Sequence, residues 1–258
     1  GKRVSTRDST VETLAHFDST EMREAGMVGA AMGTTALSAS GRYWAVPVKA
    51  GQVSQFWMID TEAQSAEVFL EAPTIGHPQF CPDDEDLILY AGPMTDRVWV
   101  TDRAGNNRRI FEREHDLQWI THEVWRPGHR TVLFVDWPNG MGEIDPDTGA
   151  VTPITDFPVW HGAPDAKGSK LICDTNFPDR GLHVLDLSGA DAPLFLTEPK
   201  ATSQGAHWAH PFPYNNWPVK VHAPQHTHPH PRFSPDGKQV VYTSDASGYA
   251  QVFVLATG

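Results

Sequence analysis

The chain has little cysteine, little positive charge and no long apolar segment, and each shortage excludes a class of protein. Its 258 residues contain only Cys81 and Cys173, too few for a disulfide framework or a Cys-rich zinc site, which favours a reducing, cytoplasmic location. Twenty Lys and Arg against 32 Asp and Glu give a net charge of -12, so no basic face is available to neutralise nucleic-acid phosphates. No apolar run reaches the ~20 residues of a membrane span, so no membrane partner is expected.

A repeat runs through the chain, whose hydrophobic content of 40% is sufficient for a core. A short strand that ends in Asp and is followed by a turn recurs, and the Asp positions are spaced by 42, 43 and 41 residues. The positions are Asp60, Asp102, Asp145 and Asp186. A period of about 40 to 45 residues built from short strands rich in Val, Ile, Phe and Trp is typical of a β-propeller blade.

A second motif precedes these strands and fixes the register of the repeat. It is a short strand closed by a turn of Pro-Asp-Gly type or a variant, and it begins near residues 34, 77, 122, 161 and 230. We predict one all-β domain over residues 1–258, a β-propeller of four-stranded blades with about five blades in this chain. Because the chain starts at Gly1 without Met, and both ends fall at a similar point of the repeat, we expect N-terminal blades to be missing.

Residues 188–224 exceed the repeat length and are rich in Trp, His and Pro, which predicts a loop insertion on one face. Its aromatic rings either stack on a sugar or pack the loop against the blades. Both interpretations stay open at this point.

Histidine occupies four of the five equivalent positions that open the first strand of each repeat. These are His77, His122, His161 and His230, with Thr34 at the fifth. The first strand of a propeller blade lines the central channel, so these side chains should form a ring. A single such histidine is most simply a hydrogen-bonded structural residue, and the His/Pro tract alone could be a solubilising loop or a structural metal clip. Four in register, together with Gln225 and His228, favour a metal site.

The predicted ligands are His161, Gln225, His228 and His230. Neutral imidazole is a common ligand of divalent metals, and the amide oxygen of Gln225 favours ions harder than zinc.

Three segments resemble the oligogalacturonate lyase family, and the resemblance covers most of the chain from about Thr74 onwards. They are WITHEVW at residues 119–125, GPMTDRVW at 92–99, and QHTHPHPRFSPD at 225–236 with Thr243-Ser244-Asp245 after it. The resemblance implies a seven-bladed propeller that cleaves short pectin fragments by metal-assisted β-elimination, with Mn2+ as the expected ion. It places metal ligands on His161, Gln225, His228 and His230, the catalytic base on His122, and a catalytic, substrate-binding arginine on Arg97.

The expected partner is therefore an acidic oligosaccharide, and we also expect His77 to bind it. A divalent ion and Arg97 would attract a polyanion into this acidic protein. One departure concerns the substrate: Tyr90-Ala91 stands where the family usually carries His-Glu before Gly-Pro.

Two alternatives stay open. TolB-like propellers share the Ser-Pro-Asp-Gly-Lys turn of residues 234–238, and such a protein would serve binding or scaffolding with a structural metal. A lyase for another uronate polymer is the second. His122 distinguishes the enzyme from the scaffold, because a structural metal clip does not need it.

Overall fold

The computed structural model describes residues 1–15, 34–50, 52–176, 178–201 and 227–257. Every regular element in these ranges is a β-strand, and the search of them finds no helix of the length and apolarity needed to cross a membrane. The all-β prediction is confirmed.

The chain divides into two compact units, of which the first comprises Gly1–Asp116 and Pro146–Gly149. It contains a two-stranded sheet and two four-stranded antiparallel sheets, each formed by strands in sequence order. The two-stranded sheet is β1 (Lys2–Val4) and β2 (Val11–Thr13). The others are β3 (Ala36–Leu37), β4 (Tyr43–Ala50), β5 (Val53–Asp60) and β6 (Ser65–Ala72), then β7 (Gly76–Cys81), β8 (Asp84–Ala91), β9 (Val98–Asp102) and β10 (Asn107–Arg109).

The second unit comprises Leu117–Asp145 and Ala150–Gly258, and it contains three further antiparallel sheets. The first is β11 (Trp119–Arg126), β12 (Thr131–Trp137), β13 (Gly140–Ile144) and β14 (Val151–Thr155). The second is β15 (Gly162–Pro164), β16 (Lys170–Cys173), β17 (Leu182–Asp186) and β18 (Leu194–Thr197). The third is β19 (Arg232–Phe233), β20 (Gln239–Ser244) and β21 (Gln251–Ala256).

These five meander sheets are propeller blades, and their first strands begin where the repeat predicted. Four blades have the predicted four strands, and the last has three within the described residues. Strand β18 lies inside the segment predicted as an insertion, so residues 194–197 belong to the repeat. Residues 202–224 of that segment lie outside the described residues.

Burial follows strand position within each sheet. The second strands β8 and β12 are rich in Val, Ile, Leu and Phe and are buried along most of their length, whereas the fourth strands β6, β10 and β14 are largely exposed. Within each unit successive sheets pack face to face. Phe56 and Ile88 join the first two blades, and Leu133, Trp160 and Leu171 join the first two blades of the second unit. This packing fixes the ends of the strands that carry the histidines.

The Asp that ends the third strand of a blade has a local structural role. The Asp60 carboxylate accepts hydrogen bonds from the backbone N–H groups of Glu62 and Ala63, each at 2.9 Å, and Asp186 accepts one from Ser188 at 2.9 Å. The hydrogen bond from Arg42 holds the pKa of Asp60 down at about 2. Because an Asp side chain satisfies the N–H groups of the turn that follows it, the residue recurs at this point in four of the five blades.

Candidate active site

Four histidine rings converge in the second unit. His122 lies within β11, His161 immediately precedes β15, and His228 and His230 lie just before β19. The ring centroids are 4.3 Å apart for His122 and His161, 3.6 Å for His161 and His230, 5.3 Å for His161 and His228, and 5.7 Å for His228 and His230. Side chains from three successive blades therefore meet at one place, which we call the histidine cluster.

Two register histidines sit at irregularities in the β-pairing, and they share an unusual backbone conformation. His122 has φ of 52° where the pairing of β11 with β12 shifts, and His77 has φ of 48° at the equivalent shift between β7 and β8. His230 is also left-handed, with φ of 41°. A β-bulge re-aims a side chain relative to a regular strand. The segment that carries His228 and His230 is therefore not extended at His230.

A buried carboxylate orients the cluster. Asp174 is fully buried directly after β16, and its Oδ1 accepts a 2.7 Å hydrogen bond from the His161 backbone N–H. Its Oδ2 accepts from the ring Nδ1 of His161 at 2.9 Å and from the His230 backbone N–H at 3.3 Å. With the proton held on Nδ1, the lone pair of His161 is on Nε2, the tautomer that a metal-binding imidazole needs. Burial raises the pKa of the Asp174 carboxyl to about 7, against the lowering effect of these N–H donors.

The end of β20 supports the His/Pro tract from the other side. Thr243 Oγ1 donates to the backbone carbonyl of His228, and Thr243 N donates to that of Pro229 at 2.9 Å. Thr227 Oγ1 donates to the Asp245 carboxylate at 3.2 Å. Thr243 and Asp245 belong to the Thr-Ser-Asp segment noted in the sequence, which thus anchors the histidines of the tract.

His122 stands at the border of the cluster and is half-buried. Its ring packs edge to face against the buried Trp160 ring, with 4.8 Å between the ring centroids. Trp160 packs in the same way against Trp137, with 5.9 Å between centroids. These rigid aromatic neighbours fix the orientation of the imidazole.

The residues fit a metal in donor chemistry and in convergence. Three imidazoles approach one another, and one of them is held by a carboxylate in a ligating tautomer. In the described part of the chain, however, no three His, Cys, Asp or Glu side chains are arranged as a ready metal-binding group. The fourth predicted ligand, Gln225, lies outside the described residues.

The other two predicted residues lie in the first unit. Arg97 is half-buried in the connection between β8 and β9, where its backbone carbonyl accepts a 2.7 Å hydrogen bond from Gly92 N. His77 is exposed near the start of β7, which pairs with the end of β8. Both residues are therefore at the same end of one blade.

A sequence profile of oligogalacturonate lyases matches residues 51–257. The chain belongs to the oligogalacturonate lyase family. An oligogalacturonate lyase of Dickeya dadantii (strain 3937) is 27% identical over 213 residues, which cover 76% of this chain and 53% of that protein. The chain thus spans about half the length of the curated relatives it matches.

Solved structures agree on the fold of this oligogalacturonate lyase family member. An oligogalacturonate lyase in complex with manganese superposes with a TM-score of 0.77 at 19% identity, covering 99% of this chain and 70% of that one. TolB from Acinetobacter baumannii superposes with a TM-score of 0.61 at 15% identity, covering 99% and 56%. At these identities the likeness establishes the β-propeller architecture alone.

Asp174 is the main residue of this family member's histidine cluster that the sequence interpretation missed. The signal available was its position: it follows a buried strand at the end of the blade where His161 enters. Among 32 acidic residues that position was not distinctive.

Proposed function

We propose that this chain carries the β-elimination site of an oligogalacturonate lyase, which cleaves 4-linked uronate oligosaccharides in pectin breakdown. The observation that carries the proposal is the convergence of His122, His161, His228 and His230, with Asp174 orienting His161. Family membership supports the reaction class.

His161, Gln225, His228 and His230 would hold a divalent ion, and manganese is supported by the related lyase whose structure contains it. When bound, the ion supplies a positive charge that binds the substrate carboxylate and makes the adjacent C5 proton more acidic. Arg97 adds a guanidinium that pairs with carboxylate oxygens.

His122 acts as the base. Imidazole suits this role because it exchanges protons near neutral pH. It removes the C5 proton, the electrons of the C5–H bond form the C4=C5 double bond, and the C4–O bond breaks. The leaving oxygen takes up a proton, and the new end of the chain is an unsaturated uronate that absorbs ultraviolet light. No covalent intermediate is needed.

Two substitutions separate the roles. His122→Ala should lower formation of the unsaturated product by about 10²- to 10⁴-fold while the protein still binds Mn2+, because it removes the base alone. His228→Ala should lose both product formation and Mn2+ binding. His129→Ala is a matched control, since His129 is exposed in a turn of the same unit and contacts Pro127 O at 3.0 Å.

The assay is ultraviolet absorbance on oligogalacturonate, with metal content measured on the same samples. Parallel reactions on alginate, ulvan and glucuronan fragments identify the uronate polymer. Wild-type activity in His122→Ala would refute the role of His122. Metal and sugar binding without any elimination would favour a TolB-like binding propeller.

A further inference from the structure

The first unit contains a pocket of about 390 Å3 beside His77. Its floor is one face of β4 and β5: Pro47 and Lys49 are two residues apart on β4, and Ser54 is the cross-strand partner of Lys49. Its wall is the segment that enters β7, residues 74–77. Ligand pockets commonly measure about 300–1,000 Å3, so a sugar residue can enter a space of this size.

Lys49 brings a fixed positive charge to this pocket. Its Nζ donates to the backbone carbonyls of Pro73 at 3.1 Å and Gln52 at 3.4 Å, and both acceptors are neutral. An ammonium has three N–H donors, so one is left to point elsewhere. No Asp or Glu in the described residues forms an ion pair with Lys49.

This arrangement differs from that of most other cations in the unit. The arginines that pair with a carboxylate there are Arg3, Arg42, Arg103, Arg108, Arg109 and Arg113. In a chain of net charge -12, an ammonium that donates to two carbonyls and has no acidic partner among the described residues is a local attraction for an anion.

The rest of the lining suits an acidic sugar. His77 reaches the pocket from its left-handed position, a conformation that costs energy and is typical of functional sites. Hydroxyl groups of Thr34, Thr74 and the buried Ser54 complete it. One cation, one imidazole and three hydroxyls are the groups that recognise a carboxylate on a hydroxylated ring.

We infer that this pocket is a uronate subsite in which Lys49 binds a carboxylate of the oligosaccharide through its remaining N–H donor. The ligand's identity rests on the proposed function; the position of the charge rests on the pocket alone. The residues that line the pocket and those of the histidine cluster do not overlap, so we assign the pocket to binding and not to proton transfer.

The test compares Lys49→Met with Lys238→Met, a matched removal of an exposed lysine in the turn that follows β19. Trigalacturonate binding is measured by calorimetry in the His122→Ala background, loaded with Mn2+, and KM and kcat are measured without that background substitution. Loss of one charge-assisted hydrogen bond at an exposed site should weaken binding about tenfold and raise KM equally, with kcat unchanged. Fully methyl-esterified trigalacturonate should bind both lysine variants alike, because it has no carboxylate.

Equal affinity of the Lys49→Met and Lys238→Met proteins for trigalacturonate would overturn the subsite, even if the lyase activity is confirmed. Absence of trigalacturonate binding in the parent protein would overturn it as well. Binding that depends on Lys49 in a protein without elimination activity would support the subsite and refute the proposed reaction. The experiment can therefore refute the Lys49 subsite without refuting the lyase reaction, and the reverse.

Discussion

Asp174→Asn is the most informative single change in the histidine cluster. The asparagine has almost the same shape, so Oδ1 can still accept from the His161 backbone N–H, which now lies 2.7 Å away. The amide NH2 would replace Oδ2 and face two donors, the Nδ1–H of His161 and the backbone N–H of His230. To avoid this clash His161 must shift towards Oδ1, which lies 3.1 Å from its Nδ1, or rotate, or move its proton to Nε2; each change displaces or removes the metal-ligating lone pair.

The expected loss of Mn2+ affinity can be estimated from the known effect of removing a hydrogen-bond partner of a metal-ligating histidine. Removing the partner of a ligating histidine typically lowers metal affinity 10- to 100-fold, or about 1.4 to 2.8 kcal/mol. At a Mn2+ concentration of about 100 times the wild-type Kd, the ion should add about 2.7 kcal/mol to the free energy of unfolding. At the same concentration the variant should gain only about 0.4 to 1.4 kcal/mol.

Denaturant unfolding with and without Mn2+ measures these gains directly. The control is Asp165→Asn in the same blade, because Asp165 also accepts three hydrogen bonds, from Ser169 N, Ser169 Oγ and Lys170 N, but lies in a turn at the far end of β15. Asp165→Asn should keep the full wild-type gain. If Asp174→Asn also keeps it, Asp174 does not prepare His161 for a metal and that reasoning is wrong.

Two further predictions concern the blades. Gly140→Ala should lower the free energy of unfolding by about 3 kcal/mol, since Gly140 has φ of 132° and a Cβ there would meet Thr155 O at 2.0 Å. Gly237→Ala is the control: no described atom lies within 4 Å of its new Cβ, so the loss should be about 1 kcal/mol. Equal losses for the two variants in denaturant unfolding would contradict this prediction. Burial raises the pKa of Tyr90 to about 12, so the folded state keeps a proton that the unfolded state releases near pH 10, and stability should fall between about pH 10 and 12. Tyr90→Phe should flatten that part of the curve of unfolding free energy against pH, and an unchanged slope would refute the assignment.

The architecture could be predicted from the sequence because local chemistry repeats with the fold. An Asp such as Asp60 or Asp186 binds the N–H groups of its own turn, so its position marks the same point in each blade without any knowledge of long-range contacts. The register of the first strands followed from this, and His122, His161 and His230 lie in or just before those strands.

The supporting groups could not be predicted in the same way. Asp174 and Lys49 have roles that depend on what lies across the blade or in the next one: His161 and His230 for the first, Pro73 for the second. A sequence shows residue type and spacing, but it does not show which of many acidic side chains becomes buried and desolvated on folding. The raised pKa of Asp174 is a tertiary property of that kind.

The left-handed backbone conformation of His77, His122 and His230 is a stronger indication of a functional role than their residue type is. Each such residue costs about 1 to 3 kcal/mol unless its surroundings hold it, and a histidine that only formed a structural hydrogen bond could do so from a regular strand. Three of the four register histidines nevertheless adopt this conformation, and two do so where the β-pairing shifts. The blades therefore hold these three residues in a backbone conformation that a regular strand does not have, which is consistent with the ligand-binding role proposed for them.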